Sequence, residues 1–272
     1  MNANKQLWEK GDFTKLADCM RQSGAELVER IGVGAGERVL DLGCGDGTTA
    51  LPAAERGADV TGVDIAANLV AAGTARAEKA GLTNVRFEEG DASDLAGIGD
   101  DRFDRVVTIF GALFAPRPDD VAREMVRVTK PGGTIVMGNW IPGDPTLVAQ
   151  ILKTSAAYTP PPPEGFVSPM LWGNEDMVRE RFAAAGIPAE NVTCERDVFT
   201  FRRDGPPGDF LDLFLNFYGP TMNAVEAADR DGKGEALRAE LGRLFESQNV
   251  SGDSGRTEIP AAFLRVTVTK PG

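Results

Sequence analysis

The hydrophobic and polar positions of this chain change period several times, and the changes outline a fold. Over residues 12–31 apolar side chains recur at helical spacing (Phe13, Leu16, Ala17, Met20, Leu27, Val28, Ile31), which predicts a helical N-terminal segment. A glycine-rich loop follows at 32–36. From there short apolar runs alternate with amphipathic ones. The runs at 38–44 (RVLDLGC), 59–65 (DVTGVDI), 85–89, 103–110 (FDRVVTIF) and 133–140 (GTIVMGNW) predict strands. The stretches 48–56, 68–80 and 118–129 predict helices, the second closed by Gly81. Strands and helices that alternate in this way predict a parallel sheet covered by helices on both faces.

The second half reads differently. Residues 142–173 carry many prolines, including the run 160–163, and predict a connection and not a continuous strand or helix. A helix is expected at 175–185, capped by Asn174 and ended by Gly186. A strand is expected at 192–203. Residues 210–225 repeat apolar side chains at Phe210, Leu213, Phe214, Phe217, Tyr218 and Met222, the pattern of one amphipathic helix. A further helix at 234–248 and a strand at 261–270 complete the chain. The helical stretch 205–250 therefore falls between the last two strands and is too long for a hairpin turn. It reads as a lid over the sheet edge, with a packing or dimerisation element as the alternative.

Composition narrows the chemistry. With 272 residues, 42% of them hydrophobic and 26% charged, the chain has material for one sizeable core. The expected organisation is a single domain over 1–272, with a helical segment at 1–30, a core at 31–140 and the insertion at 205–250. No apolar run approaches the roughly 18 residues of a membrane helix, and the N-terminus lacks a signal-peptide pattern, so a cytoplasmic, membrane-free protein is expected. The net charge of −12 and the lack of a basic stripe argue against nucleic acid as substrate or partner. Cys19, Cys44 and Cys194, odd in number and far apart, fit neither a disulfide framework nor a zinc site. There is no histidine, which removes the commonest general base and excludes Ser-His-Asp and Cys-His hydrolases.

The strongest local motif is 41–47, Asp-Leu-Gly-Cys-Gly-Asp-Gly, between a hydrophobic strand and a helix. Its glycines permit a tight turn and close approach of a ligand to the backbone. A dinucleotide loop would have glycine where Thr48 stands, and Asp41 beside the loop would repel a pyrophosphate but suit a cation. A nicotinamide-dependent oxidoreductase is thereby disfavoured. Asp64 ends the second strand, where a carboxylate can accept hydrogen bonds from ribose hydroxyls. Gly90-Asp91-Ala92 follows the third strand, and Asp91 could accept from an adenine amino group. Lys130-Pro131-Gly132-Gly133 turns into the fifth.

Together these segments, spanning about residues 30–140, resemble the class I S-adenosylmethionine-dependent methyltransferases: DLGCGDG matches the family's first motif, VTGVDI its acidic second, EEGDASDL its third and KPGG its fifth-strand turn. The resemblance implies a Rossmann-like, seven-stranded, mostly parallel sheet whose last strand runs antiparallel, and S-adenosyl-L-methionine as cofactor. It implies that Asp41 stands near the cofactor's amino group, that Gly43 and Gly45 lie against its methionine part, and that Asp64 meets the ribose. It places Ile65 as the apolar wall beside adenine and Asp91 and Ala92 at the adenine edge. Ile109 and Phe110 end the fourth strand, where the family places the methyl group and the substrate. Residues 8–13 (WEKGDF) resemble segments that fold over the cofactor in ubiquinone/menaquinone-type and related small-molecule methyltransferases, and 168–173 (SPMLWG) resemble a stretch common in that family. These favour a small apolar or aromatic acceptor beneath a lid lined by Phe210, Phe214, Phe217 and Tyr218. The sulfonium is already a strong electrophile, so a base is optional. Tyr158 and Tyr218 are the candidates for one, with Asp197 and Glu175 behind them. Asp119 and Asp120 read as dipole-complementing acids in a helix's first turn and not as metal ligands. A non-catalytic binding protein that keeps the fold is the alternative function.

Overall fold

The computed structural model describes residues 2–162 and 164–272. Met1 and Pro163, the last of the proline run, lie outside the described residues. The chain opens with three short helices, α1 (Ala3–Glu9), α2 (Phe13–Ala17) and α3 (Arg21–Arg30). It continues β1 (Arg38–Leu42), α4 (Ala50–Glu55), β2 (Asp59–Asp64), α5 (Ala67–Ala80), β3 (Val85–Glu89), β4 (Phe103–Ile109), α6 (Pro118–Val128) and β5 (Thr129–Trp140). The second half adds α7 (Leu147–Ala156), α8 (Glu175–Ala184), β6 (Val192–Asp204), α9 (Pro207–Phe217), α10 (Gly219–Arg230), α11 (Gly234–Gln248) and β7 (Arg256–Thr269).

All seven strands join one sheet in the order β3-β2-β1-β4-β5-β7-β6. β1 to β5 pair in parallel, while β7 runs antiparallel between β5 and β6. This is the Rossmann-like, mostly parallel sheet expected from the sequence, with its last strand reversed. Strands covered on both faces read as continuous apolar runs, and in β1 every residue except Arg38 is buried. Two apolar clusters flank the sheet. The smaller joins Val28 and Val33 to Val39, Val60 and Val107 through the alanines of α4. The larger holds the packing of α6 to α11.

Local signals explain most of the element ends. Gly81 closes α5 in the left-handed conformation at φ +68°. Asn174 caps α8 by accepting from Met177 N. Pro118 opens α6, with Asp119 and Asp120 in its first turn.

Four expectations need correction. The helical pattern at 12–31 is two helices joined by a 3-10 turn at Asp18–Met20. The proline-rich stretch contains a regular helix, α7, lying between its prolines. The helix expected at 210–225 is two, because Tyr218 is extended and Gly219-Pro220 restart the helix with proline in its first turn. β7 begins at Arg256, five residues before the expected start, and runs through Pro260. That proline is tolerated because β5 pairs with β7 only from Phe263 onward, so the N–H that proline lacks is not needed on that side. The inserted helices α9 to α11 pack on one another and on α7, with Phe210, Phe214 and Phe245 ring to ring at 5.2–5.4 Å.

Candidate functional site

The carboxyl ends of β1, β2 and β4 open into one cavity, with about 930 Å³ of free space counted out to its mouth. Its floor is the turn after β1. Gly43, Gly45 and Gly47 all have positive φ (+71°, +55° and +87°), a conformation that side chains resist. Gly43 also meets Gly111, after β4, backbone to backbone. A Cβ on Gly111 would stand 2.3 Å from the Gly43 carbonyl oxygen. The two loops therefore close on each other only as glycines. A Cβ on Gly45, by contrast, would project into open space.

Two buried carboxylates sit above this floor on adjacent strands, and they are treated differently. Asp64 is held at both oxygens: Gly45 N donates to Oδ2 at 2.8 Å and Ala66 N to Oδ1 at 2.9 Å. Asp41, only 2% exposed, keeps Oδ2 without a partner among the described residues. Burial, and secondarily the charge of Asp64, push the Asp41 carboxyl up to about 7, against the opposing pull of a hydrogen bond from the Ala50 backbone. Burial raises Asp64 too, but backbone donors oppose it. A third acid, Asp46, also lines the cavity, yet it is committed to Arg21 (Nη1–Oδ1, 2.7 Å) and Arg76 (3.6 Å). The Cys44 thiol lies among these acids, and burial raises its pKa well above the ordinary value.

An unpaired buried carboxylate costs free energy until a donor or cation reaches it. Asp41 therefore fits a ligand that carries positive charge. Asp64 still has a free lone pair on each oxygen and can accept two hydroxyls. Asp91 accepts at Oδ1 from Ser93 N (2.9 Å) and Ser93 Oγ (2.6 Å), which leaves its other oxygen for an amino group. These residues fit a sulfonium nucleoside with an amino acid tail.

All eight positions singled out for a cofactor (Asp41, Gly43, Gly45, Asp64, Ile65, Asp91, Ala92 and Ile109) line this cavity, as does Phe110. Phe110 is a non-glycine residue at φ +61°, a strained conformation of the kind found at functional sites. Its ring is stacked on Trp140 at 3.7 Å and 10° and is met edge-on by Phe199 and Phe263.

Seven expected residues stand elsewhere. Phe210 and Phe217, expected on the lid wall, do not line the cavity, and Phe210 is buried against Phe201, Phe214 and Phe245. Phe214 is buried behind the site against Phe201, Phe210, Tyr218 and Phe245. Tyr218 does not reach the cavity. It is 6% exposed and packs behind Trp8 and Phe13, and burial raises its hydroxyl pKa. Tyr158 also lies away from the cavity, its pKa raised by burial and by a hydrogen bond with Glu240. Asp197 is paired with Arg30 and Arg265, and Glu175 occupies the first turn of α8. Asp120 pairs with Arg117 and Arg123. The aromatic wall comes instead from Trp8, Phe13 and Phe199, with Met20, Ala112 and Ala115. Trp8 and Phe13 belong to the WEKGDF segment noted in the sequence. Phe199, on a strand of ordinary appearance, carried no signal.

A family model described as a methyltransferase domain matches residues 39–133, the segment that builds the cavity floor. The uncharacterized protein Rv1403c of Mycobacterium tuberculosis is 35% identical over 243 residues, 89% of this chain and 86% of its own length. Erythromycin 3''-O-methyltransferase of Saccharopolyspora erythraea is 28% identical over 99% of this chain and 83% of its own. Among solved structures, phosphoethanolamine N-methyltransferase 2 of Haemonchus contortus, bound to phosphomonomethylethanolamine and S-adenosylhomocysteine, superposes with a TM-score of 0.63. It is 17% identical and covers 100% of this chain and 61% of that one, a likeness that speaks for the fold alone. No helix among the described residues is long and apolar enough to cross a membrane. With its sheet, its glycine loop, the matched methyltransferase domain and a methyltransferase relative along nearly the whole chain, the chain belongs to the class I S-adenosylmethionine-dependent methyltransferases.

Proposed function

We propose that this protein transfers the methyl group of S-adenosylmethionine to a small apolar or aromatic metabolite. The observation that carries the reading is one cavity with two characters: a buried carboxylate with an unpartnered oxygen on its floor, and an aromatic wall beside it. Asp41 would hold the cationic end of the cofactor, and Gly43 and Gly45 would lie along its amino acid part. Asp64 would accept from the ribose hydroxyls. Ile65, Asp91 and Ala92 would border the adenine. When bound, the cofactor supplies a methyl group on a sulfonium, an electrophile that needs no activation by the protein. The work left to the chain is to position the acceptor at the ends of β1 and β4 and to exclude water. Ile109, Phe110 and the aromatic wall serve both ends. Tyr158 and Tyr218 are not proposed as bases, since neither lines the cavity. The full-length similarity to an enzyme acting on erythromycin supports a small-molecule acceptor.

The test is methyl transfer from isotope-labelled cofactor into fractions of a small-molecule extract. Label appearing in an organic-soluble product, and lost on Asp64→Ala, supports the reading. Binding of S-adenosylhomocysteine with no transfer to any fraction would favour a non-catalytic binding protein.

A further inference from the structure

The two characters of the cavity come from different parts of the chain. The carboxylates belong to β1, β2 and their following turns, whereas much of the aromatic wall belongs to the N-terminal arm, α1 and α2. Trp8 is the centre of that arm. Its indole lines the cavity and is set edge-on by Phe114 at 4.8 Å, Phe13 at 5.9 Å and Tyr218 at 5.9 Å. The inserted helices thus reach the site at second hand, with Tyr218 against Trp8 and Phe214 edge-on to Tyr218 at 5.3 Å.

Two glycines make that arrangement possible. A Cβ on Gly219, at the α9–α10 junction, would fall 2.2 Å from the Leu7 carbonyl oxygen. A Cβ on Gly11, which sits at φ +137°, would fall 2.7 Å from the Phe217 carbonyl oxygen. The arm and the junction therefore meet backbone to backbone on either side of Trp8. Polar contacts fix the arm's ends. Lys5 pairs with Glu89 at the end of β3, Glu9 accepts from Ala67 N at 3.2 Å, and Lys10 reaches Asn223 at 2.5 Å and Glu226 at 2.7 Å on α10.

We infer that Trp8 is a specificity-determining residue for the methyl acceptor, presenting its indole to a flat aromatic or apolar molecule, and that the inserted helices influence the acceptor by holding Trp8 in place. This rests on the methyltransferase reading above. A wall made of indole and phenyl rings selects rings by edge-to-face and offset stacking in addition to area burial. The residues proposed for the cofactor belong to β1, β2 and the turns after β1 to β3, and Trp8 belongs to the arm, so substitution of Trp8 with both ligands titrated reads the two sites separately.

The experiment is calorimetric titration of 2-naphthol, as an aromatic probe, into protein saturated with S-adenosylhomocysteine. The proteins compared are wild type, Trp8→Ala, Trp8→Phe and Gly219→Ala. Trp8→Ala is expected to weaken the probe by at least about tenfold while S-adenosylhomocysteine affinity changes by less than about threefold. Trp8→Phe should recover most of the loss, and Gly219→Ala should weaken the probe in the same direction as Trp8→Ala. Retained S-adenosylhomocysteine binding shows that each variant is folded. The inference is overturned if Trp8→Ala binds the probe as wild type does, if it loses both ligands together, or if the cofactor-saturated wild type does not take the probe. Failure of the wild type to bind S-adenosylhomocysteine is a different result and would overturn the methyltransferase reading.

Discussion

Replacing Asp41 with asparagine should make the free protein more stable and the ligand-binding site worse. The Asp41 carboxyl is held at about 7 against an ordinary value of 3.8, so the folded state resists its ionisation. The sign follows from linkage: a group whose folded pKa is raised favours the folded state while protonated, and that advantage is lost as pH rises through the folded value. Between about pH 4 and pH 7 the wild type therefore loses stability relative to Asp41→Asn, which cannot ionise. Three pKa units at about 1.4 kcal/mol each give a difference of up to about 4 kcal/mol at pH 8, shrinking toward zero near pH 4. Binding should show the reverse dependence. The ammonium group of the ligand's amino acid part needs the ionised carboxylate, so wild-type affinity for S-adenosylhomocysteine should rise about tenfold per pH unit up to pH 7 and then level. The variant should bind weakly and without that slope. Urea unfolding at pH 5 and pH 8, with calorimetric titrations at the same pH values, measures both. A stability difference that does not change with pH, or a variant less stable than wild type at pH 8, would refute the reasoning.

Other outcomes follow from the same geometry. Phe110→Ala should cost about 3 kcal/mol in urea unfolding, because it removes a ring stacked between Trp140, Phe199 and Phe263. Phe110→Gly should be less costly than Phe110→Ala, by about 1 kcal/mol, since glycine accepts φ +61° without strain. Gly111→Ala places a Cβ 2.3 Å from the Gly43 carbonyl oxygen. It should part the two loops and abolish S-adenosylhomocysteine binding in a calorimetric titration. Tyr158→Phe should leave labelled-methyl transfer unchanged, because Tyr158 lies outside the cavity.

The glycine turn and carboxylates that we propose hold the cofactor were legible in the sequence as one cluster because their requirements are local. Positive φ at Gly43, Gly45 and Gly47 calls for glycine, and carboxylates at the ends of β1 and β2 follow directly from the strand pattern. The aromatic lining of the cavity was not legible, because an aromatic side chain at helical spacing announces burial without saying against what. Phe214 and Tyr218 met that pattern and are buried behind the site, whereas Phe199 looked like any strand residue and lines it. The split between α9 and α10 was hidden by an apolar period that continues through Gly219-Pro220. α7 was hidden by the prolines on both sides of it.

The central claim is that this cavity holds a sulfonium nucleoside cofactor, and calorimetric titration of S-adenosylhomocysteine into wild type and Asp64→Ala tests it most directly. The account predicts a single site on the wild type, with affinity reduced by well over tenfold in Asp64→Ala, as expected for a buried carboxylate that accepts ligand hydroxyls. No binding to the wild type, or equal affinity in the two proteins, would contradict it.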